Sequence, residues 1–180
     1  MKEVRLITPL SQEDILMLNA GDRVLISGTI YTARDAAHKR LIELINKEEA
    51  LPIDITNQVI YYVGPTPTKP GEVIGSSGPT TSYRMDTYTP PLLNKGLKGM
   101  IGKGMRNEEV IKCMKKNKAI YFGATGGAGA LISKSIIESE VVAYEDLGPE
   151  AIHKLKVENF PVIVIIDSKG NNLYENVLNL

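Results

Sequence analysis

A single cysteine, Cys113, stands in this 180-residue chain. One thiol closes no internal disulfide, and it falls short of the ~3–4 cysteine ligands that an iron–sulfur cluster takes. The only histidines, His38 and His153, lie far apart and outside any HxxH or HExxH spacing, so a metal site built by this chain alone is not expected. Net charge is absent as well, because 21 basic residues balance 21 acidic ones. No summed positive field gathers nucleic acid or anionic lipid, and any anion must be met by a few placed cations. No apolar run approaches the ~20 residues of a membrane span. The first ten residues mix charged with apolar side chains and reach Pro9, unlike a signal peptide. A cytoplasmic location is expected.

What is there reads as an ordinary globular chain, 43% hydrophobic and 23% charged. The length suits one domain over 1–180 with a core of its own. Glu3–Ile7 reads as a strand. Ser11 with Asp14 three residues on marks a helix start, and that helix reaches about Leu18. The near-continuous apolar run in Arg23–Ile30 predicts a strand buried on both faces. Thr32 is the expected cap of the next helix, with Asp35 at its third position and Ala37, Leu41 and Leu44 along one face to about Lys47. Further strands are expected at Gln58–Val63, Lys98–Ile101, Lys118–Phe122, Val141–Tyr144, Pro161–Ile166 and Asn172–Tyr174. Helices are expected after Thr89, from Asn107 to about Asn117, from Gly129 to about Ile137, and over Pro149–Val157. Strands alternating with helices argue for an α/β fold with a mixed, largely parallel sheet.

Four stretches can carry chemistry. In Ser27–Arg40 a buried strand runs into a helix, the place where open α/β sheets bind ligands and where free N–H groups favour an anion. Arg34 sits there against the helix dipole, which is reasonable if it shares an anionic ligand. The plainer reading is an exposed arginine, paired with Asp35 or with a residue one turn on. His38, one turn on, is either a packed helical histidine or a proton-handling group. Gly75–Asp86 offers small hydroxyl residues and then Arg84, whose planar fork matches a carboxylate; an ordinary Ser/Thr-rich loop is the alternative. Lys103 lies between two glycines in Gly99–Arg106, either close to a ligand or as a solvated turn lysine. Gly123–Gly129 is glycine-rich between a strand and a helix, but lacks GxGxxG and GxxxxGK[ST]. Close packing explains it more simply than a dinucleotide.

"SGTIYTARDAAHKR", "SSGPTTSYRMD" and "GKG", in this order, resemble the β subunit, or C-terminal domain, of class I fumarate hydratases and the related L-tartrate dehydratases. The similarity covers about Gly21 to Phe160. It implies a swivelling β/β/α domain in three layers, and reversible addition of water to fumarate, giving (S)-malate. It also implies a [4Fe–4S] cluster held by three cysteines of a partner α chain, in a heterotetramer of two α and two β chains. This fits the cysteine count here. By the same resemblance Arg34, Arg84 and Lys103 bind the two carboxylates and Thr80 is the base that removes the C3 proton of malate. A threonine hydroxyl is a poor base without a cation or relay beside it. The competing readings are an L-tartrate dehydratase β subunit, a stand-alone nucleotide-binding domain using Gly123–Gly129, and a non-catalytic scaffold that would tolerate loss of all three cations.

Overall fold

The computed structural model describes residues 2–124 and 129–178. The described chain runs β1 (Glu3–Ile7), α1 (Gln12–Met17), β2 (Arg23–Thr32), α2 (Asp35–Asn46), β3 (Val59–Tyr61), α3 (Thr89–Asn94), β4 (Gly99–Gly102), α4 (Glu108–Asn117), β5 (Ile120–Gly123), α5 (Gly129–Lys134), β6 (Ile136–Ala143), β7 (Ile152–Ile166) and α6 (Leu173–Leu178). Short 3₁₀ turns occupy Ser82–Met85 and Glu145–Glu150. The α/β class expected from the sequence is the class found, with a mixed sheet. Strands β1 to β5 pair in parallel in chain order, and β7 is antiparallel to β2, β5 and β6.

The sheet closes on itself. β7, at 15 residues, is long enough to pair with β5 at one end, with β2 along its length and with β6 outside. The ring β2–β3–β4–β5–β7 results, with β1 and β6 flanking it. Side chains alternate across this wall with period two. Val59, Tyr61, Ile101 and Phe122 face the interior, with Ile26, Leu155, Phe160 and Val164. Ile60, Tyr62, Met100 and Tyr121 face outward onto Leu41 of α2, Leu92 of α3 and Val110 and Met114 of α4. Burial on both faces is why the strands read as continuous apolar runs. Each fully buried side chain of this size contributes about 1.5–3 kcal/mol before entropy is subtracted.

The helix starts show local chemistry being kept or overridden. Ser11 and Asp14 form a reciprocal capping box, as the sequence predicts. Asn107 accepts from the Val110 N–H at the start of α4. Thr32 does not cap α2; Arg34 holds that position, with no side-chain cap bond. The Thr32 hydroxyl instead accepts the His153 N–H at 3.1 Å, which ties β2 to β7. Likewise Thr89 is the first helical residue of α3, and its hydroxyl donates to the Met85 carbonyl at 2.8 Å.

Three segments differ from expectation. Pro149–Val157 is not a helix: after the turn at 145–150 the chain enters β7, in which Ile152, Leu155 and Val157 are buried while Lys154 and Lys156 are exposed. β6 starts at Ile136, where the helix from Gly129 was expected to continue. Of Asn172–Tyr174, expected as a strand, only Asn172 makes an antiparallel bridge, with Ile166; α6 starts at Leu173, and the Asn172 side chain accepts the Tyr174 N–H at 3.1 Å.

Candidate functional site

Parallel strands β2, β3, β4 and β5 all end on one side of the ring, at Thr32, Tyr61, Gly102 and Gly123. The ladder continues one step beyond β2, β3 and β5: Ala33 N–H donates to Tyr61, Tyr62 N–H to Ile101 and Ala124 N–H to Gly102. The segments leaving these ends carry Arg34 after β2 and Lys103 after β4. Thr80 reaches the same edge from the long loop, its N–H donating to the Tyr62 carbonyl at 2.7 Å. Thr81 then pairs in parallel with Lys103, and the Ser82 N–H donates to the Lys103 carbonyl at 2.8 Å. Residues 80–82 are thus wedged between the ends of β3 and β4.

Gly102 makes the wedge possible. A Cβ there would collide with the Ser82 hydroxyl and lie 2.9 Å from the Tyr62 ring. The close approach expected of the glycines beside Lys103 therefore exists, but toward the protein's own Ser82 and Tyr62. Gly104 has φ +85°, the left-handed turn that glycine adopts without strain. Tyr121 completes the wedge from below, its hydroxyl 2.8 Å from both Ser82 Oγ and the Gly104 carbonyl.

Arg34 lies over the backbone of Gly64, where a Cβ would stand 2.8 Å from its Nη1. Its Nε is buried with no hydrogen-bond partner among the described residues. Asp35 is paired, but not with Arg34. Its Oδ2 accepts from Nε and Nη2 of Arg84, at 3.1 and 2.7 Å. Two arginines from distant segments are thus tied to the α2 N-terminus, Arg34 as its cap residue and Arg84 through Asp35. The Ala36 N–H there donates to Glu150 Oε1 at 3.3 Å. Lys103 is exposed and has no ion-pair partner among the described residues.

His38 sits beneath this edge rather than on it. It is fully buried, its ring 5.4 Å from that of Tyr62 and 6.0 Å from that of Tyr88. Nδ1 lies 2.8 Å from the Arg34 carbonyl, which fixes Nδ1 as the donor and leaves Nε2 unprotonated. Burial pushes its pKa down to about 4; the carbonyl contact works the other way, and the Arg106 charge lowers it further. The ring is that of a packed, neutral histidine.

One group of buried residues was not singled out from the sequence. Arg106 is 5% exposed. Its Nε donates to Asp86 Oδ1 at 2.6 Å and its Nη2 to Thr89 Oγ1 at 2.9 Å, while its guanidinium carbon lies 5.2 and 5.0 Å from the Tyr62 and Tyr121 rings. Asp86 also accepts the Asn107 N–H at 2.9 Å. This ion pair locks the Tyr83 turn to the segment after β4, directly under the wedge. Asp86 and Arg106 end two of the stretches singled out above, yet only the tertiary fold shows that they meet.

The edge is open. Arg84 and Lys103 are exposed, and beside them stand Tyr83, 65% exposed, and Met105, 59% exposed. A cavity of about 470 Å³ lies elsewhere, lined by Thr66, Val73, Ile74, Gly75, Ser76, Ser133 and Ile136; Arg34, Thr80, Arg84 and Lys103 do not line it. Of the glycine-rich turn, residues 125–128 lie outside the described residues. Among the described residues no cluster of His, Cys, Asp or Glu could hold a metal ion.

The family described as fumarase C-terminus matches residues 1–177. The chain is 40% identical to "Fumarate hydratase class I, anaerobic" of Escherichia coli (strain K12) over 181 residues, covering 99% of this chain and 32% of that protein. It is 39% identical to "Fumarate hydratase 2" of Leishmania major over 160 residues, covering 88% of this chain and 28% of that one. "Putative L(+)-tartrate dehydratase subunit beta" of Methanocaldococcus jannaschii is 38% identical over 174 residues, with 93% of this chain and 89% of that protein covered. The chain thus spans about a third of the fumarate hydratases it matches, and nearly all of the subunit.

Proposed function

The chain belongs to the fumarase C-terminus family, and from that premise we propose that it is the dicarboxylate-binding subunit of a hydro-lyase that interconverts fumarate and (S)-malate. The observation that carries the reading is the gathering of Arg34, Thr80, Arg84 and Lys103 at one carboxyl edge of parallel strands. Arg34 caps α2, Arg84 is bound to Asp35 of the same helix start, and the backbone of Lys103 pairs with Thr81, next to Thr80. A buried dianion requires paired positive groups, and this edge supplies three.

In this reading Arg34, Arg84 and Lys103 hold the two carboxylates. Arg84 presents a fork to one of them, and Lys103 presents a point charge from the turn after β4. Thr80 stands at the C3 proton of malate and removes it, with the neighbouring cations favouring the developing charge. Its backbone is fixed by the Tyr62 carbonyl, so the hydroxyl keeps its place relative to the substrate. His38 is buried and neutral, and in this scheme it supports the α2 start rather than exchanging protons.

A [4Fe–4S] cluster, which supplies Lewis-acid chemistry at the substrate hydroxyl when bound, does not fit this chain's residues. Cys113 faces the Pro90 carbonyl at 3.7 Å and Asn94 Oδ1 at 3.6 Å, and burial pushes its thiol pKa up, away from the thiolate form. We assign the cluster to a partner α chain, in a cytoplasmic complex of two α and two β chains where this chain is one swivelling domain over 1–180. The open edge with Tyr83 and Met105 beside the cations supports completion of the site by a second surface. No helix among the described residues is long and apolar enough to cross a membrane.

The second reading, an L-tartrate dehydratase subunit, is favoured by the 89% coverage of the Methanocaldococcus jannaschii relative. Steady-state kinetics on the assembled complex tests both. Arg34→Ala and Arg84→Ala should each lower kcat/KM by roughly 10- to 100-fold. Thr80→Ala should lower kcat steeply while a dicarboxylate inhibitor still binds. Arginine variants that bind dicarboxylate as the wild type does would remove the clamp from the account. Faster turnover of tartrate than of malate would select the second reading.

A further inference from the structure

Asp35 spends its described hydrogen bonds on a single partner. Oδ2 receives both Nε and Nη2 of Arg84, whereas Oδ1 is buried with no hydrogen-bond partner among the described residues. The pair is too exposed to act mainly as a staple, with 43% of the Arg84 and 34% of the Asp35 side-chain surface open to solvent. Its geometry fits another purpose. A guanidinium carries about five N–H donors. Asp35 takes the Nε edge and one Nη2 hydrogen, so the Nη1–Nη2 end stays free with its own fork intact. Asp35 itself is fixed: it is the first residue of α2, next to Arg34, whose side chain lies over Gly64.

Resting on the reading of this edge as a dicarboxylate site, we infer that Asp35 is the positioning residue for Arg84, aiming its free fork at one substrate carboxylate and thereby setting the preference for diacids over monoacids. The rotamer freedom of Arg84 is lost before substrate arrives, so less is lost on binding.

Titration calorimetry on the complex assembled with the cluster-bearing chain tests this, with succinate and its monoamide succinamate as probes. Wild type should prefer succinate, and Arg84→Ala should lose most of that preference. Asp35→Ala should cut succinate affinity by roughly 5- to 10-fold and leave succinamate little changed, so the preference collapses in the same way. Adding Asp35→Ala to Arg84→Ala should change little further, because Asp35 acts only through Arg84. Asp35→Asn, which keeps the shape and one acceptor, should fall between wild type and Asp35→Ala and guards against a folding defect. The inference is overturned if Asp35→Ala weakens both probes equally, or if the double variant shows the product of the two single losses. It is also overturned if the preference for succinate rises, as a purely electrostatic role requires once a negative charge is removed. Unchanged succinate affinity in Arg84→Ala would sink the dicarboxylate reading and the inference together. A normal Asp35→Ala beside a weakened Arg84→Ala would remove the inference alone.

Discussion

His38 gives the sharpest prediction about stability. The ring is fully buried against Tyr62 and Tyr88, and burial is the main reason its pKa falls from the ordinary 6.5 to about 4. As pH falls, the unfolded chain takes up this proton first. The contribution to stability is therefore fully present above about pH 6.5 and is lost as pH falls toward and through about 4. The gap corresponds to about 3 kcal/mol, of which about 2 kcal/mol is gone by pH ~4.5. The assay is urea unfolding of wild type and His38→Gln at two pH values, about 7 and 4.5, at constant ionic strength. Each protein loses some stability from its other groups, so the quantity of interest is the difference between the two losses. Wild type should lose about 2 kcal/mol more than the variant, a further fall in Tm of roughly 4–8 °C. Equal losses would show that His38 is not held neutral by burial. A larger loss in the variant would reverse the sign of the argument.

Asp86→Ala should destabilise by about 3–5 kcal/mol, because it strands the buried Arg106 guanidinium without its carboxylate; thermal unfolding measures it. Gly102→Ala should displace Ser82 and the Tyr62 ring and so loosen residues 80–82. Faster amide exchange at Ser82, whose N–H is bonded to Lys103, is the expected signature. Cys113→Ser should leave the activity and iron content of the assembled complex nearly unchanged, since the thiol is packed among Pro90, Asn94 and Asn117; iron analysis and initial rates check it.

Much of the scaffold was legible because local signals and burial agree in it. The Ser11–Asp14 box, the apolar runs of β2 and β3 and the Asn107 cap are read from neighbours a few residues apart. Where tertiary contacts take over a local signal, the sequence misleads. Thr32 has the chemistry of a helix cap, but its hydroxyl is claimed by His153 on a strand 121 residues away. The stretch Leu155-Lys156-Val157 alternates as a strand does, but Pro149 and the acidic residues before it resemble a helix start. The length of β7 emerges only once β2 and β6 are present to pair with it.

The candidate site divides in the same way. Arg34, Thr80, Arg84 and Lys103 lie in three separate stretches that were singled out by residue type and by resemblance, and the structure brings those stretches to one edge. The partner of Asp35 was not legible, because adjacency in sequence favoured Arg34 while the fold delivers Arg84. The Asp86–Arg106 pair was hidden for the converse reason. No local signal joins the two residues, which meet only when the turn after Thr81 and the segment after Lys103 are packed together.

The central claim is that this chain supplies the dicarboxylate clamp of a two-chain hydro-lyase. It is tested most directly by anaerobic mixing with a cluster-bearing α-type chain from the same genome, followed by assay of fumarate hydration. The account predicts no turnover by either chain alone, turnover by the mixture, and its loss when the added chain carries Arg84→Ala. A mixture that hydrates fumarate equally well with the Arg84→Ala chain, or with this chain left out, would contradict it.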